Sequence, residues 1–165
     1  HYFFAAGSGI TPVISMIQDV LEQEPKSSCH LIYGSRSEKG IIFHDILNKL
    51  EQSHQGQLSI THTISRPTKV KAGGISGLLG KKSVSWKGET GRIDEEKVTD
   101  FLERNPSYNK TQLYYICGPG NMISNVEAAL LEQGMNEALV DKLTIWRGMN
   151  DRDIEKVKSH MSIIS

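Results

Sequence analysis

Two glycine turns carry the residues best suited to chemistry. The first, Gly7-Ser8-Gly9-Ile10-Thr11-Pro12, follows the apolar run Tyr2 to Ala6 and leads into a helical pattern. Small residues at 7 to 9 allow a tight turn, and a helix starting there offers free backbone N–H groups to a pyrophosphate. Its spacing departs from the dinucleotide fingerprint G-x-G-x-x-G/A at the sixth position, where Pro12 stands. No Gly-Lys-Ser/Thr follows, so it is not a Walker loop. The second turn, Cys117-Gly118-Pro119-Gly120, brings a small polarizable side chain to the end of another apolar run. Taken by itself, that cysteine reads as a buried, inert thiol. A third group, Ser65-Arg66, pairs a hydroxyl with a guanidinium fork suited to phosphate.

These groups need elements to position them, and the chain alternates strand and helix patterns. "HYFFAA", "CHLIYGS", "LSITHTIS" and "QLYYIC" read as four strands, with a weaker fifth within 138–146. Val13, Ile14, Ile17, Val20 and Leu21 recur at helical spacing, with Thr11 as N-cap and Pro12 at the first helical position. "IIFHDILNKLEQ" places Ile42, Phe43, Ile46, Leu47 and Leu50 on one helical face. "DEEKVTDFLER" has acidic residues in its first turn, where the helix dipole favours them. "NMISNVEAALLEQG" is a helix closed by Gly134, and "DRDIEKVKSHM" reads as a terminal helix. The alternation predicts an α/β doubly wound parallel sheet of about five strands, order 3-2-1-4-5, with helices on both faces. Ligands of such sheets bind at the carboxyl ends of the strands, so both glycine turns face one crevice if their strands are neighbours.

Composition narrows the partners. The 165 residues carry 19 basic and 19 acidic side chains, which gives no global reason to expect nucleic acid or a membrane surface. Six scattered histidines lack ligand spacing, so no metal site is expected. The two cysteines, Cys29 and Cys117, lie in separate apolar runs and read as reduced thiols of a cytoplasmic protein. One segment breaks the rhythm. Residues 67–91 hold six glycines without a sustained period, and from Arg66 to Arg92 there are seven basic residues against Glu89 alone. Such an insertion is either a solvated loop or a surface for anions or a partner.

In chain order, "AAGSGITPV", "YGSR", "ISR", "GRI" and "YICGPGNM" resemble the pyridine-nucleotide domain of the ferredoxin–NADP reductase superfamily. The branch most similar is the oxygenase-reductase type that includes phenylacetyl-CoA oxygenase reductases, and the resemblance covers residues 1–134. It implies that Gly7, Ser8, Gly9, Ile10, Thr11 and Pro12 cradle the pyrophosphate, with Thr11 near the nicotinamide. Cys117 and Gly118 match positions beside the nicotinamide ring, where hydride passes to flavin, which makes Cys117 the catalytic candidate. Pro119, Gly120 and Met122 continue that turn. Ser35 and Arg36 match a position near the phosphates, Ser65 and Arg66 match the pair that receives the 2′-phosphate of NADPH, and Arg92 matches a third basic position at the adenosine end. A barrel that binds FAD precedes this domain in the family. The abrupt start at His1 is therefore expected to reflect a fragment of a longer protein.

The expected organisation is an NAD(P)-binding domain at 1–146 carrying the 67–91 insertion, and a C-terminal extension at 147–165. The resemblance implies NADP in preference to NAD, FAD on the upstream domain, and an iron–sulfur domain, ferredoxin-like carrier or oxygenase component as electron acceptor. The chain by itself is expected to bind nucleotide without reductase activity. Two departures stand out: no clustered cysteine set for a 2Fe-2S centre, and "LTIWRGMNDRD" in place of the usual stretch after the last strand. A regulatory nucleotide-binding module and an interaction domain remain as alternatives. A methyltransferase fits less well, because no acidic residue ends the second strand to hold a ribose.

Overall fold

β1 (Tyr2–Ala6) is apolar at every position because it is covered on both sides. Phe3 and Ala5 point to one face of a sheet and Tyr2 and Phe4 to the other, all of them buried. The computed structural model describes residues 1–71, 82–107, 111–135 and 140–143. Its strands continue as β2 (Cys29–Ser35), β3 (Leu58–Ile64), β4 (Lys69–Lys71), β5 (Lys82–Val84), β6 (Glu89–Thr90), β7 (Tyr114–Cys117) and β8 (Val140–Leu143). Six of them form one parallel sheet in the order β6-β3-β2-β1-β7-β8. Without the two-residue β6 this is the predicted order 3-2-1-4-5, with the weak strand of 138–146 as β8.

The helices fill both faces. α1 (Ile10–Gln23) turns Val13, Ile14, Ile17, Val20 and Leu21 inward against Phe3, Leu31 and Tyr33, and α2 (His44–Ser53) adds Leu47 to the same layer. α3 (Glu95–Arg104) and α4 (Gly120–Glu132) cover the other face, bringing Val98, Phe101, Val126 and Leu130 onto Tyr2, Phe4 and Ile116. Each fully buried side chain of this size contributes about 1.5–3 kcal/mol. Asp94 caps α3 through the Lys97 N–H at 3.1 Å, and Gly134, at φ +77°, follows the end of α4.

Two local expectations are corrected. α1 begins at Ile10 with Gly9 as N-cap after a 3-10 turn at Gly7–Gly9, so Thr11 does not cap and Pro12 is third. Proline costs no hydrogen bond there, because the first four N–H groups have no intrahelical partner. α2 begins only at His44, since Phe43 takes a left-handed φ of 60°, and Ile42, Phe43 and Ile46 lie at the surface while Leu47 alone is fully buried. Among the described residues, the two ends of the 67–91 insertion form strands. β4 and β5 pair antiparallel, and Trp86 donates its indole N–H to the Glu89 carbonyl at 2.8 Å beside β6. Residues 72–81 and the expected terminal helix lie outside the described residues.

Two turns meet where β1 and β7 end. A Cβ on Gly9 would lie 2.1 Å from the Cys117 carbonyl oxygen and 2.6 Å from its carbon. No rotamer change relieves a clash with backbone, so Gly9→Ala should destabilise the chain by about 1–3 kcal/mol or more. Gly120 has open space around it and an ordinary φ, so Gly120→Ala should be neutral or stabilising by about 0.4–1 kcal/mol. Urea unfolding of the two variants checks this, and equal stabilities would contradict it.

His62 on β3 supplies a pH test. Its ring packs against Tyr33, His44 and Trp86, and both ring nitrogens are buried without a hydrogen-bond partner among the described residues. Burial, with a smaller push from His44, lowers its pKa from about 6.5 to about 4. The unfolded chain therefore binds the proton more tightly, so stability is full above about pH 6.5 and falls as pH drops towards about 4. His30, also lowered chiefly by burial, acts in the same direction. The melting temperature should fall from pH 7 to pH 5, and less steeply in His62→Phe; an unchanged slope would contradict this.

Candidate functional site

The carboxyl ends of β1, β2, β3, β6 and β7 form one edge, and most residues singled out in the sequence lie along it. Gly7, at φ +58°, and Ser8 are exposed just past β1, whereas Gly9 and Ile10 are buried. Ile10 belongs to the core, so any ligand contact it makes is through its backbone. Tyr33 fixes this turn from the neighbouring strand. Its buried hydroxyl donates to the Gly7 carbonyl at 3.0 Å and accepts the Ile42 N–H at 3.3 Å. Sequence reasoning misses Tyr33, whose place in an apolar strand gives no sign of this role.

The second turn packs directly against the first. Cys117 is fully buried, and burial raises its thiol pKa to about 11, so it is a neutral thiol near pH 7. It is therefore no thiolate nucleophile, and its side chain packs within the core layer that holds Phe3, Ile10 and Val13. Gly118 leaves room for Met122, whose Cε would lie 2.8 Å from a Cβ at that position. Pro119 is the N-cap of α4, and neither it nor Gly9 caps its helix with a side chain. Two helix N-termini free of side-chain caps thus open side by side at adjacent strand ends, the arrangement that receives an anionic group. Around Gly7 and Gly120 a Cβ would meet nothing within 4 Å, so the backbone is open to a ligand there.

The basic residues come together along the other half of the edge. β2 and β3 extend their pairing past the strand ends, with Ser65 N–H on the Ser35 carbonyl at 2.9 Å and Arg66 N–H on the Arg36 carbonyl at 2.8 Å. Gly91, at φ +104°, donates to the Ile64 carbonyl at 3.0 Å and carries Arg92 to the far side of β3. Arg36, Arg66 and Arg92 therefore stand on three neighbouring strand ends, all exposed, and none makes an ion pair among the described residues. Glu89 is taken up elsewhere, by Arg104 at 2.5 Å and Lys97 at 3.6 Å. Ser35 adds a buried hydroxyl oxygen with no hydrogen-bond partner among the described residues. An orphaned hydroxyl, three guanidinium groups and two open helix starts fit a phosphorylated dinucleotide.

No group of three or more His, Cys, Asp or Glu suited to a metal occurs among the described residues, and no described helix is long and apolar enough to cross a membrane.

Comparison with known proteins agrees with this geometry. The oxidoreductase NAD-binding domain profile matches residues 3–128. A component of the 1,2-phenylacetyl-CoA epoxidase from Escherichia coli is 32% identical over 136 residues, covering 82% of this chain and 34% of that protein. NADH-cytochrome b5 reductase 2 of Meyerozyma guilliermondii is 31% identical over 133 residues, covering 78% of this chain and 39% of that protein. The chain thus spans little more than a third of the length of these relatives. Among solved structures, the CS-b5R domains of human Ncb5or superpose with a TM-score of 0.70 at 22% identity, over 86% of this chain and 35% of that one. The fold and the family profile agree: the chain belongs to the oxidoreductase NAD-binding domain family, within the ferredoxin–NADP reductase superfamily.

Proposed function

We propose that this chain is the pyridine-nucleotide half of a flavin-dependent electron-transfer oxidoreductase, that it prefers NADPH, and that its FAD is held by a separate domain. The observation that carries the reading is the row Arg92, Arg66, Arg36 on adjacent strand ends, with no carboxylate paired to any of them among the described residues. NADP differs from NAD by one phosphate, and a site must satisfy that charge or repel it. Here Ser65 and Arg66 offer a hydroxyl and a planar fork, where an NAD-selective site often places an acid.

The chain's own residues bind and orient. The turns Gly7 to Pro12 and Gly118 to Gly120 supply room for the pyrophosphate, with backbone N–H groups from their residues other than Ile10, Pro12 and Pro119. Met122 and the buried Cys117 shape the wall beside the nicotinamide. When bound, the nicotinamide supplies a hydride that flavin accepts, and that chemistry belongs to the cofactors. An iron–sulfur centre or protein acceptor would take the electrons onward, in keeping with an epoxidase component among the relatives. NADH is the second reading, favoured by the names of the cytochrome b5 reductase relatives.

Titration of the chain with NADPH and NADH distinguishes the two. Arg66→Ala should cost NADPH about 1.5–3 kcal/mol, the worth of a charged hydrogen bond, and leave NADH nearly unchanged. Equal losses for both nucleotides, or tighter NADH binding by the unaltered chain, would sink the NADPH assignment.

A further inference from the structure

The two arginine-bearing strand ends are joined by more than backbone. Past Arg36 the chain leaves β2 and winds into a short 3-10 turn, Glu38–Gly40. Past Arg66 it runs through Pro67, which has no N–H to donate, into Thr68. The β2–β3 pairing would end there. Instead the Glu38 carboxylate reaches across: one oxygen accepts the Thr68 N–H at 3.2 Å and the Ser85 hydroxyl at 2.8 Å, and the other accepts the Thr68 hydroxyl at 3.1 Å. Ser85 in turn donates its N–H to the Thr68 carbonyl at 3.0 Å, so the exit of β5 is held in the same knot. A side chain thus makes the rung that the backbone cannot.

We infer that Glu38 is a positioning residue for the nucleotide site: its carboxylate locks Thr68, and through the stiff Arg66-Pro67-Thr68 link it holds Arg66 alongside Arg36 for a shared phosphate. This rests on the reading that those arginines receive the 2′-phosphate. Arg66 is fixed on one side by the Arg36 carbonyl and two residues later by Glu38, so its backbone has little freedom. A fork held this way loses less conformational entropy when it binds an anion. The carboxylate keeps its charge, and its oxygens are directed to donors from the ribbon, the Thr68 N–H and hydroxyl and the Ser85 hydroxyl. Donation from its own backbone N–H, then from Ser85 and Thr68, holds its pKa at about 2, so the lock persists throughout the working pH range.

The probes are 2′,5′-ADP and 5′-AMP, which differ by the phosphate in question, titrated calorimetrically into the full chain. In Glu38→Ala the preference for 2′,5′-ADP should fall about five- to tenfold, the scale of one weakened charged hydrogen bond, while 5′-AMP affinity stays within about twofold. Glu38→Gln keeps an acceptor oxygen and should lose less. Ser85→Ala removes one donor and should lose about twofold, and it keeps the test open if Glu38→Ala folds poorly. A tether that merely fastened the ribbon would change melting and leave the ratio of the two affinities where it was. That result would overturn the inference, as would tighter 2′,5′-ADP binding in Glu38→Ala, which would make Glu38 a repelling charge. A chain that bound both probes equally before any substitution would remove the phosphate reading itself, and the Glu38 role with it.

Discussion

The contact between Gly9 and the Cys117 carbonyl is the constraint on which the rest of the site depends. β1 and β7 are neighbouring parallel strands, so the turns that leave them must share the space above one sheet edge. They can do so only because Gly9 has no Cβ: any side-chain atom there would sit 2.1 Å from a backbone oxygen. With that space empty, the starts of α1 and α4 lie next to each other. Tyr33 holds the same turn from β2, so three adjacent strands hold a single stretch of backbone. Rigid scaffolding of this kind is what a cofactor site requires, since the protein's contribution is to hold a reactive ring in position.

Charge is distributed by the same topology. A chain with no net charge nevertheless concentrates three arginines on one edge, because sheet order, and not sequence proximity, sets what is adjacent. Arg36, Arg66 and Arg92 are separated by dozens of residues in the chain yet stand on successive strand ends. Glu89 is paired with Lys97 and Arg104, and Glu38 accepts hydrogen bonds from Thr68 and Ser85. The edge thus carries three exposed guanidinium groups, none in an ion pair among the described residues.

Much of this is legible in the sequence, for a physical reason. Strands of a doubly covered parallel sheet must be apolar on both faces, so "HYFFAA", "CHLIYGS" and "QLYYIC" stand out as continuous runs, and the glycine turns after them mark the edge where ligands bind. Helix boundaries are harder. Ile42, Phe43 and Ile46 carry helical spacing, but the left-handed Phe43 delays the helix and leaves these side chains at the surface. β6 is hidden because two residues carry no periodicity. Tyr33, His62 and Glu38 are invisible for a different reason. Their partners lie elsewhere in the chain, 26 residues away for Gly7 from Tyr33 and 47 for Ser85 from Glu38, and no local pattern records such contacts.

The central claim is that the two glycine turns form one nucleotide site. The most direct measurement follows backbone amide shifts of the chain by NMR while NADP+ is added. The account predicts saturable shifts concentrated at Gly7, Ser8, Gly9, Gly118 and Gly120, with a second set at Arg36, Arg66 and Arg92. Shifts that spared either glycine turn, or that gathered instead around Trp86 and Arg104 on the outer edge of β3, would contradict it.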